Sequence, residues 1–332
     1  MTTLAQIRAG LPRYPIEVAF PDVDRWKTGN TGIDYVHTFD SGVEGPHVAI
    51  MALTHGNEVS GAIAVDELLS RGIRPRRGKL TLAFGNVAAY HAFDPDDIDA
   101  TRYLEEDMNR VWLPQRLQGP ATTADLARAQ ELRPLIDEID WLLDIHSMHE
   151  HSAPLMMTGP LEKGLRLAAQ LGTPEFVIAD AGHQNGRRLR DFGGFGEGDS
   201  PKNALLIETG QHVLAVSRQI ALDCVARFLL LGEVVDEAAV ADLLQVAKPV
   251  RQRFLRVTDA IVADTLDFRF TQDFKGLETI AEAGTLIATD GEREIRTPYA
   301  NCVLIQPSIR HLGSGVTVVR LARELGEDEV PR

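Results

Sequence analysis

Apolar runs and amphipathic stretches alternate along the first three quarters of the chain. Runs rich in Val, Ile and Leu predict buried strands at residues 47–53, 79–84, 141–145, 176–179 and 204–207. Helical periodicity predicts helices at residues 58–71, 123–139, 161–171 and 213–231. Because strands alternate with helices, the pattern predicts an α/β fold with a mainly parallel sheet. The continuously apolar strands predict helices on both faces of that sheet.

The pattern changes near residue 248. Beyond residue 251 no stretch has helical periodicity, and alternating segments predict strands at residues 254–257, 267–270, 285–288, 302–305 and 316–321. Turn signals separate these segments, including Asp290-Gly291. The sequence therefore predicts two domains, a larger α/β domain at residues 1–247 and a smaller all-β domain at residues 248–332.

Composition narrows the class of protein. With 332 residues, of which 44% are hydrophobic, the chain can bury a core without disulfides, and its two cysteines form no ligand pattern. The net charge of −14 argues against nucleic acid and anionic membranes as partners. No apolar run approaches the ~20 residues of a membrane span, and the start of the chain lacks a signal-peptide pattern. We therefore expect a cytoplasmic protein, with a homo-oligomer left open.

The first candidate site follows the strand predicted at residues 47–53. His55 and Glu58 stand three residues apart between a strand and a helix, where ligands bind in α/β folds. Gly56 permits a tight backbone bend, so that both side chains can reach one metal ion. Taken alone, the pattern more often marks a solvated histidine and a glutamate favoured by the dipole of a helix.

A second histidine, His146, follows the strand predicted at residues 141–145. By itself it fits a histidine at the rim of the core. Together with His55 and Glu58 it gives three protein ligands and an open fourth position, the pattern of a catalytic zinc site. Asp144 faces the same side of the strand as His146, so it either orients that ligand or is simply a polar strand end.

Two further segments offer candidate catalytic groups. Glu208 follows an apolar strand, where a carboxylate can act as general base and then general acid, or can form a structural ion pair. Arg102 can stabilise an oxyanion. Arg110 can bind a carboxylate in a two-pronged way, with direction added by the amide of Asn109, although a solvated polar loop is the commoner role of such a stretch.

Two basic segments keep two interpretations each. His149 and His151 lie close to His146, and we interpret them as solvated or substrate-facing because His146 follows the strand directly. Residues 187–190, Arg-Arg-Leu-Arg in a glycine-rich stretch, form either a second carboxylate clamp or a mobile basic loop. The mobile loop is slightly favoured.

Four motifs in a fixed order resemble the succinylglutamate desuccinylase and aspartoacylase family. They are HGNE at residues 55–58, DMNR at 107–110, DIHS at 144–147 and LLIETG at 205–210. The resemblance covers residues 45–235 well and implies a catalytic domain similar to the zinc carboxypeptidases. It also implies one zinc ion per chain, held by His55, Glu58 and His146.

The resemblance further implies hydrolysis of the amide bond of a small, anionic N-acyl amino acid. Glu208 matches the catalytic carboxylate and Arg102 the arginine that polarises the scissile carbonyl, while Asn109 and Arg110 match the pair that binds a substrate carboxylate. The family's β domain narrows the entrance, and His311 and Tyr299 are candidates for a substrate contact from that part of the chain. The acyl group and the amino acid stay open.

Two alternatives use the same residues. A zinc carboxypeptidase acting on short peptides is disfavoured by the β domain, which is expected to restrict the cleft. A metal-retaining but inactive binding protein is disfavoured by the presence of Glu208.

Overall fold

The computed structural model describes residues 3–182 and 186–330. Residues 1–2 of the first predicted domain and residues 331–332 of the second therefore lie outside the described residues. The described strands are β1 (Val36–Asp40), β2 (His47–Ala52), β3 (Lys79–Phe84), β4 (Trp141–Met148), β5 (Leu155–Met157), β6 (Phe176–Ala179), β7 (Asn203–Gln211), β8 (Arg253–Val262), β9 (Phe268–Phe270), β10 (Thr279–Ile280), β11 (Leu286–Asp290), β12 (Arg293–Arg296), β13 (Cys302–Ile305) and β14 (Thr317–Glu324). The described α-helices are α1 (Leu4–Ala9), α2 (Val59–Ser70), α3 (Val87–His91), α4 (Pro114–Leu117), α5 (Ala124–Ile136), α6 (Glu162–Leu171), α7 (Ala215–Leu231) and α8 (Glu237–Val240). Short 3₁₀ helices lie at Val23–Trp26, Met108–Arg110, Leu189–Asp191, Gly193–Gly196 and Ala241–Leu243.

An eleven-stranded sheet organises the molecule, in the order β1-β3-β2-β4-β7-β5-β6-β8-β14-β13-β10. Strands β3, β2, β4 and β7 are parallel to one another, as are β5, β6 and β8. Strand β1 and the strands beyond β8 pair antiparallel with their neighbours. The predicted α/β fold with a mainly parallel sheet is therefore confirmed for the part of the chain before residue 248.

Both faces of the parallel strands are covered by helices. In β2, Val48 and Ile50 join a core with α2, α6 and α7, whereas Ala49 and Met51 join a second core with α5. Every residue of β2 is buried. This arrangement explains why the strands are continuously apolar, because successive side chains point to opposite faces and neither face meets water.

The segment after residue 248 contains strands and turns only, and residues 251–330 form no helix. Strands β8, β14, β13 and β10 extend the large sheet, and β12, β11 and β9 form a separate three-stranded sheet. The predicted domain boundary stays a prediction. It falls just before β8, which pairs in parallel with β6, so the large sheet continues across it.

The strands that the sequence pattern missed are short or lie at an edge. Strands β5, β10 and β12 have two to four residues, too few for a period of two to stand out. Strand β1 is the edge strand beside β3 and is mostly half-buried, so it lacks a continuous apolar run. Among the described helices, none combines the length and the apolar character needed to cross a membrane.

Candidate active site

The candidate ligands and the candidate catalytic carboxylate lie at the carboxyl ends of three neighbouring parallel strands. His55 and Glu58 occupy the turn between β2 and α2, and His146 lies in β4, beside β2. Glu208 lies in β7 and is the direct register partner of His146. This crevice at the ends of parallel strands is where α/β sheets bind ligands, and the adjacency of the strands brings residues 150 positions apart into one site.

The turn after β2 depends on two backbone features. Leu53 has a φ of 57°, in the left-handed region. Gly56 has an ordinary φ, but a Cβ atom there would lie 2.3 Å from the backbone carbon of Ala89 in α3. The glycine therefore allows close approach of α3, whereas the sequence interpretation assigned it a tight bend.

Three buried side chains converge at this point. Candidate ligand atoms of His55, Glu58 and His146 all lie within 4.8 Å of one another. Nδ1 of His55 lies 2.8 Å from Oε1 of Glu58, and Nδ1 of His146 lies 2.7 Å from Oε2 of the same carboxylate. The two Nδ1 atoms are 3.2 Å apart. The geometry thus brings together the three residues that the sequence selected.

The outer nitrogens of both histidines face carboxylates. Nε2 of His55 lies 2.9 Å from Oδ1 of Asp107, and Nε2 of His146 lies 2.8 Å from Oδ2 of Asp144. Thr54 in turn donates to Asp144. The hydrogen bond to Asp107 holds the ring proton of His55 on Nε2 and turns the lone pair of Nδ1 inward, as in carboxylate–histidine–zinc sites. The Asp144 carboxylate favours the same tautomer of His146 through its charge, since the contact is close but is not a hydrogen bond.

The donor atoms of the cluster determine whether a metal ion fits it. With the protons on Nε2, the Nδ1 lone pairs of both histidines lie 2.7–2.8 Å from the oxygens of one carboxylate, and positive charge placed among these atoms stabilises the arrangement. Two imidazoles and one carboxylate suit zinc. The donor set of His55, Glu58 and His146 therefore fits a divalent metal, and the geometry favours the ligand-orienting interpretation of Asp144.

The charges around the cluster also attract a cation. Burial would raise the pKa of Glu58, but His55 and His146 hold it well below its usual range. Burial would lower the pKa of His146, but Asp144 and Glu58 hold it well above its usual range. Two negative groups flanking one buried ring stabilise positive charge, carried by a proton or by a metal ion.

Glu208 lies beside this cluster with one oxygen available. Gln306, which follows β13, donates to Oε1 of Glu208 at 2.8 Å, and Oε2 is buried without a hydrogen-bond partner among the described residues. Burial and the nearby Glu58 raise the pKa of Glu208 to about 7, against the opposing effect of His146. A carboxyl group with this pKa can both accept and release a proton near neutral pH.

Arg102 and Asp107 close the other side of the cluster. Nη1 of Arg102 donates to Oε1 of Glu58 at 2.8 Å, and its Nε lies 3.8 Å from Asp107. Burial would lower the pKa of Arg102, but Glu58 and Asp107 raise it. Arg102 is therefore a fixed positive charge within contact of the candidate ligands. The sequence motif contained Asp107 without assigning it a role.

Asn109 and Arg110 lie in the short 3₁₀ helix after Asp107. The Oδ1 atom of Asn109 accepts a hydrogen bond from the backbone N–H of Leu189. The NH₂ group of the Asn109 side chain takes no part in that hydrogen bond. Arg110 lies 3.7 Å from Asp107, and burial, with Arg188 adding to it, lowers the pKa of Arg110 to about 10 in spite of Asp107. Arg110 stays protonated at neutral pH.

A single cavity of about 460 Å³ joins these groups. It is called the catalytic cavity below. The predicted residues that line it are His55, Arg102, Asn109, Arg110, His146 and Glu208, with Glu58 buried beneath. Three arginines that the sequence analysis gave no firm role also line it, Arg8, Arg188 and Arg320, and the last two contact the buried Asp180. Arginines thus outnumber the carboxylates they contact, which favours an anionic ligand.

The mobile-loop interpretation of residues 187–190 was wrong for two of its arginines. Arg188 and Arg190 are only 3% and 2% exposed, and Arg188 donates to Asp180 at 2.8 Å. Asp180 lies just after β6, so a partner 8 residues away in the chain draws Arg188 inward. Nη1 of Arg188 is buried without a hydrogen-bond partner among the described residues.

The remaining histidines divide between surface and cavity. His151 is exposed, whereas His149 lines the catalytic cavity and lies 2.9 Å from Asp99. His311, from the segment between β13 and β14, also lines the cavity. Tyr299 does not line it and instead contacts the hydroxyl of Thr258 at 2.6 Å.

The fold and the site together define an α/β protein with a buried His-Glu-His centre. Residues 44–221, more than half of the chain, match the model of the succinylglutamate desuccinylase/aspartoacylase catalytic domain family. The chain belongs to that family. None of the curated proteins compared with the chain matches it.

Solved structures of similar fold come from bacteria and mouse. A succinylglutamate desuccinylase from Vibrio parahaemolyticus is 18% identical, with a TM-score of 0.62, over 88% of this chain and 87% of that chain. The ectoine utilization protein of Ruegeria pomeroyi is 16% identical, with a TM-score of 0.60, over 86% of this chain and 88% of that one. Murine aminoacylase 3 is 17% identical, with a TM-score of 0.57, over 85% and 96%. At these identities the likeness establishes the shared fold.

Proposed function

We propose that the protein is a zinc-dependent deacylase that hydrolyses the amide bond of a small N-acyl amino acid. The observation that carries the proposal is the convergence of His55, Glu58 and His146 in the same cavity as an available carboxylate, Glu208. Membership of the desuccinylase/aspartoacylase family supports the reaction class. The product pair is a carboxylate and a free amino acid.

His55, Glu58 and His146 would hold the metal, with Asp107 and Asp144 fixing the histidine tautomers. When bound, zinc supplies Lewis-acid chemistry, which acidifies water and polarises a carbonyl group. Zinc is preferred over other divalent metals because the donor set is two imidazoles and one carboxylate.

Glu208 is the proposed proton carrier. Its Oε2 atom faces no donor of the described chain, so it is free to take the proton of a water molecule as the oxygen of that water attacks the amide carbon. The C–N bond then breaks, and Glu208 returns the proton to the leaving nitrogen. Gln306 keeps the carboxylate oriented through its contact to Oε1.

The cavity arginines have separate proposed roles. Arg102 lies against Glu58 and is placed to stabilise the negative charge that develops on the carbonyl oxygen. Arg110 and the NH₂ group of Asn109 would bind the carboxylate of the amino acid. The excess of arginines in the cavity supports an anionic substrate and disfavours a cationic one.

The proposal is tested by metal content and turnover measured on the same preparation. Purified protein would be analysed for metal, then assayed for release of free amine from a panel containing N-succinylglutamate, N-acetylaspartate, neutral acetyl amino acids and dipeptides, with and without chelator. We expect about one zinc per chain and chelator-sensitive hydrolysis of an anionic acyl amino acid. Turnover of dipeptides alone would favour a carboxypeptidase, and failure to take up metal would contradict the central claim.

The cellular setting belongs to the same proposal. Cys224 and Cys302 are both free and buried, which is compatible with a reducing compartment such as the cytoplasm. The partner we propose is the small anionic N-acyl amino acid substrate, with a homo-oligomer left open. We also propose that residues 248–332 act as a β domain that narrows access to the cavity, to which they contribute Gln306, His311 and Arg320.

A further inference from the structure

A second group of metal-ligand type borders the catalytic cavity, which two of its three members, His149 and His311, line. Asp99, His149 and His311 have ligand atoms within 4.8 Å of one another. Two arginines contact this group: Nη1 of Arg310 donates to Oδ2 of Asp99 at 3.1 Å, and Nη2 of Arg8 lies 3.1 Å from Nδ1 of His311. Because guanidinium groups are permanent cations and donors, they favour hydrogen bonding over a second metal ion here.

The contact with Arg8 determines the tautomer of His311. A guanidinium can only donate, so Nδ1 of His311 must accept. A neutral imidazole carries one proton, which is then on Nε2. Burial, together with His149, Arg102 and Arg8, holds the pKa of His311 well below its usual range, so the ring is neutral at physiological pH. Arg8 is itself anchored by the backbone oxygen of Arg310 at 2.7 Å.

The resulting Nε2–H group has no acceptor within the described protein. Nε2 of His311 is buried and without a hydrogen-bond partner among residues 3–182 and 186–330. The residue lines the catalytic cavity together with His55, His146 and Glu208. Leaving a buried donor unpaired costs about 1–3 kcal/mol, and a ligand oxygen in the cavity would remove that cost.

We propose that His311 is a substrate-binding residue whose Nε2–H donates to an acceptor oxygen of the bound acyl amino acid, and that Arg8 is the positioning residue that fixes this tautomer. The inference rests on the proposed function. A neutral N–H donor favours a carboxylate or carbonyl oxygen, which can accept its hydrogen bond. It disfavours an ammonium group or an amide nitrogen at the same place, because neither can accept. The N-terminal helix α1 thereby influences specificity through a residue of the segment between β13 and β14.

The first test measures the tautomer without substrate. Full-length protein labelled with ¹⁵N at histidine would be studied by NMR, with the His311 signals assigned from their loss in His311→Gln. We expect the proton of His311 on Nε2 and a bare Nδ1, and a mixture of tautomers in Arg8→Met. A proton on Nδ1 in the wild type would overturn the inference.

The second test compares KM and kcat for the best N-acyl amino acid of the panel. His311→Phe removes the donor and is expected to raise KM about tenfold, the effect of one lost hydrogen bond. His311→Gln, whose amide can donate, is expected to recover part of the loss. Arg8→Met is expected to raise KM in the wild type and to add little in His311→Phe, because it acts through the histidine.

His151→Gln is the matched control, since that histidine is exposed and lies outside the cavity lining. Its kinetic constants are expected to equal those of the wild type. An unchanged KM in His311→Phe, with the wild type active, would reject the role of His311 alone. Absence of turnover by the wild type on every panel member would reject the proposed function and this inference with it.

Discussion

Two clusters of histidine and carboxylate border one cavity, which their histidines line, and they differ in what surrounds them. His55 and His146 have carboxylates at their outer nitrogens, whereas Nδ1 of His311 is contacted by the guanidinium of Arg8. Each cluster also has an arginine on its carboxylate, Arg102 at Glu58 and Arg310 at Asp99, so the two clusters differ at His311. The first arrangement turns lone pairs inward and attracts a cation. The second supplies donors and positive charge, which keeps a cation away. The same residue types therefore give a metal site or a hydrogen-bonding site according to their neighbours.

The largest expected difference between the clusters is in metal content. His146→Ala removes one of three ligands, so we expect loss of bound zinc and a fall in hydrolysis of roughly a thousandfold or more, since several kcal/mol of transition-state stabilisation depend on the metal. His149→Ala is expected to keep the metal. Elemental analysis of the two variants shows which cluster binds the metal. Loss of zinc from His149→Ala would mean that a metal ligand belongs to the cluster of Asp99, His149 and His311, which would contradict the proposed site.

Glu208 separates chemistry from metal binding. We expect Glu208→Gln to lower kcat by about 10²–10⁴-fold, the usual contribution of a general acid–base group, and to leave zinc in place. The control is Glu294→Gln, whose side chain is exposed. A kcat near that of the wild type, or loss of zinc from Glu208→Gln, would show that the carboxylate has another role.

Arg310 is expected to matter for stability. It is 5% exposed and contacts both Asp99 and Glu150, so Arg310→Met removes the guanidinium from two carboxylates that then keep only His149 and Tyr14, respectively, as partners. We expect the free energy of unfolding, measured with urea, to fall by about 3 kcal/mol. Arg76→Met, which removes an exposed pair with Asp236, should cost less than about 1 kcal/mol. Equal costs would mean that the buried network contributes little.

The carboxylates behind the metal ligands should tune the affinity for zinc. Asp144→Asn replaces the carboxylate beside Nε2 of His146 with a neutral amide. The negative charge that favours a ring proton on Nε2 is then lost. We expect zinc affinity, measured by competition with a chelator, to fall by about 10–100-fold. Asp99→Asn, the equivalent change in the other cluster, should leave zinc affinity unchanged, and an equal fall in both variants would remove the distinction between them.

The smallest expected effect is a pH dependence of stability from Asp99. Burial would raise the pKa of Asp99, but His149 and Arg310 hold it well below its usual range. A lowered folded-state pKa gives stability that is present above the unfolded value of about 3.9 and is lost as the pH falls below it. The stability advantage of wild type over Asp99→Asn should therefore shrink by at least about 1 kcal/mol between pH 7 and pH 3. A constant difference over that range would contradict this.

The sequence by itself determined the parallel strands, the helices on both faces and the three candidate ligands. Each of these is a local pattern: a run such as β3 or β6 is apolar because both its faces are buried, HGNE lies shortly after β2, and DIHS lies in the second half of β4. The carboxyl ends of parallel strands lie at the same edge of a sheet, so the two motifs come close together when the sheet forms.

Only the tertiary structure decided what surrounds those ligands. Asp107 behind His55, Gln306 on Glu208, and Arg8 on His311 are contacts between residues 52, 98 and 303 positions apart. No periodicity links such positions, because the choice of partner depends on how the turns and strands pack. A tautomer or a buried ion pair is set by whichever group lies within hydrogen-bonding distance, and in this protein those groups come from distant parts of the chain.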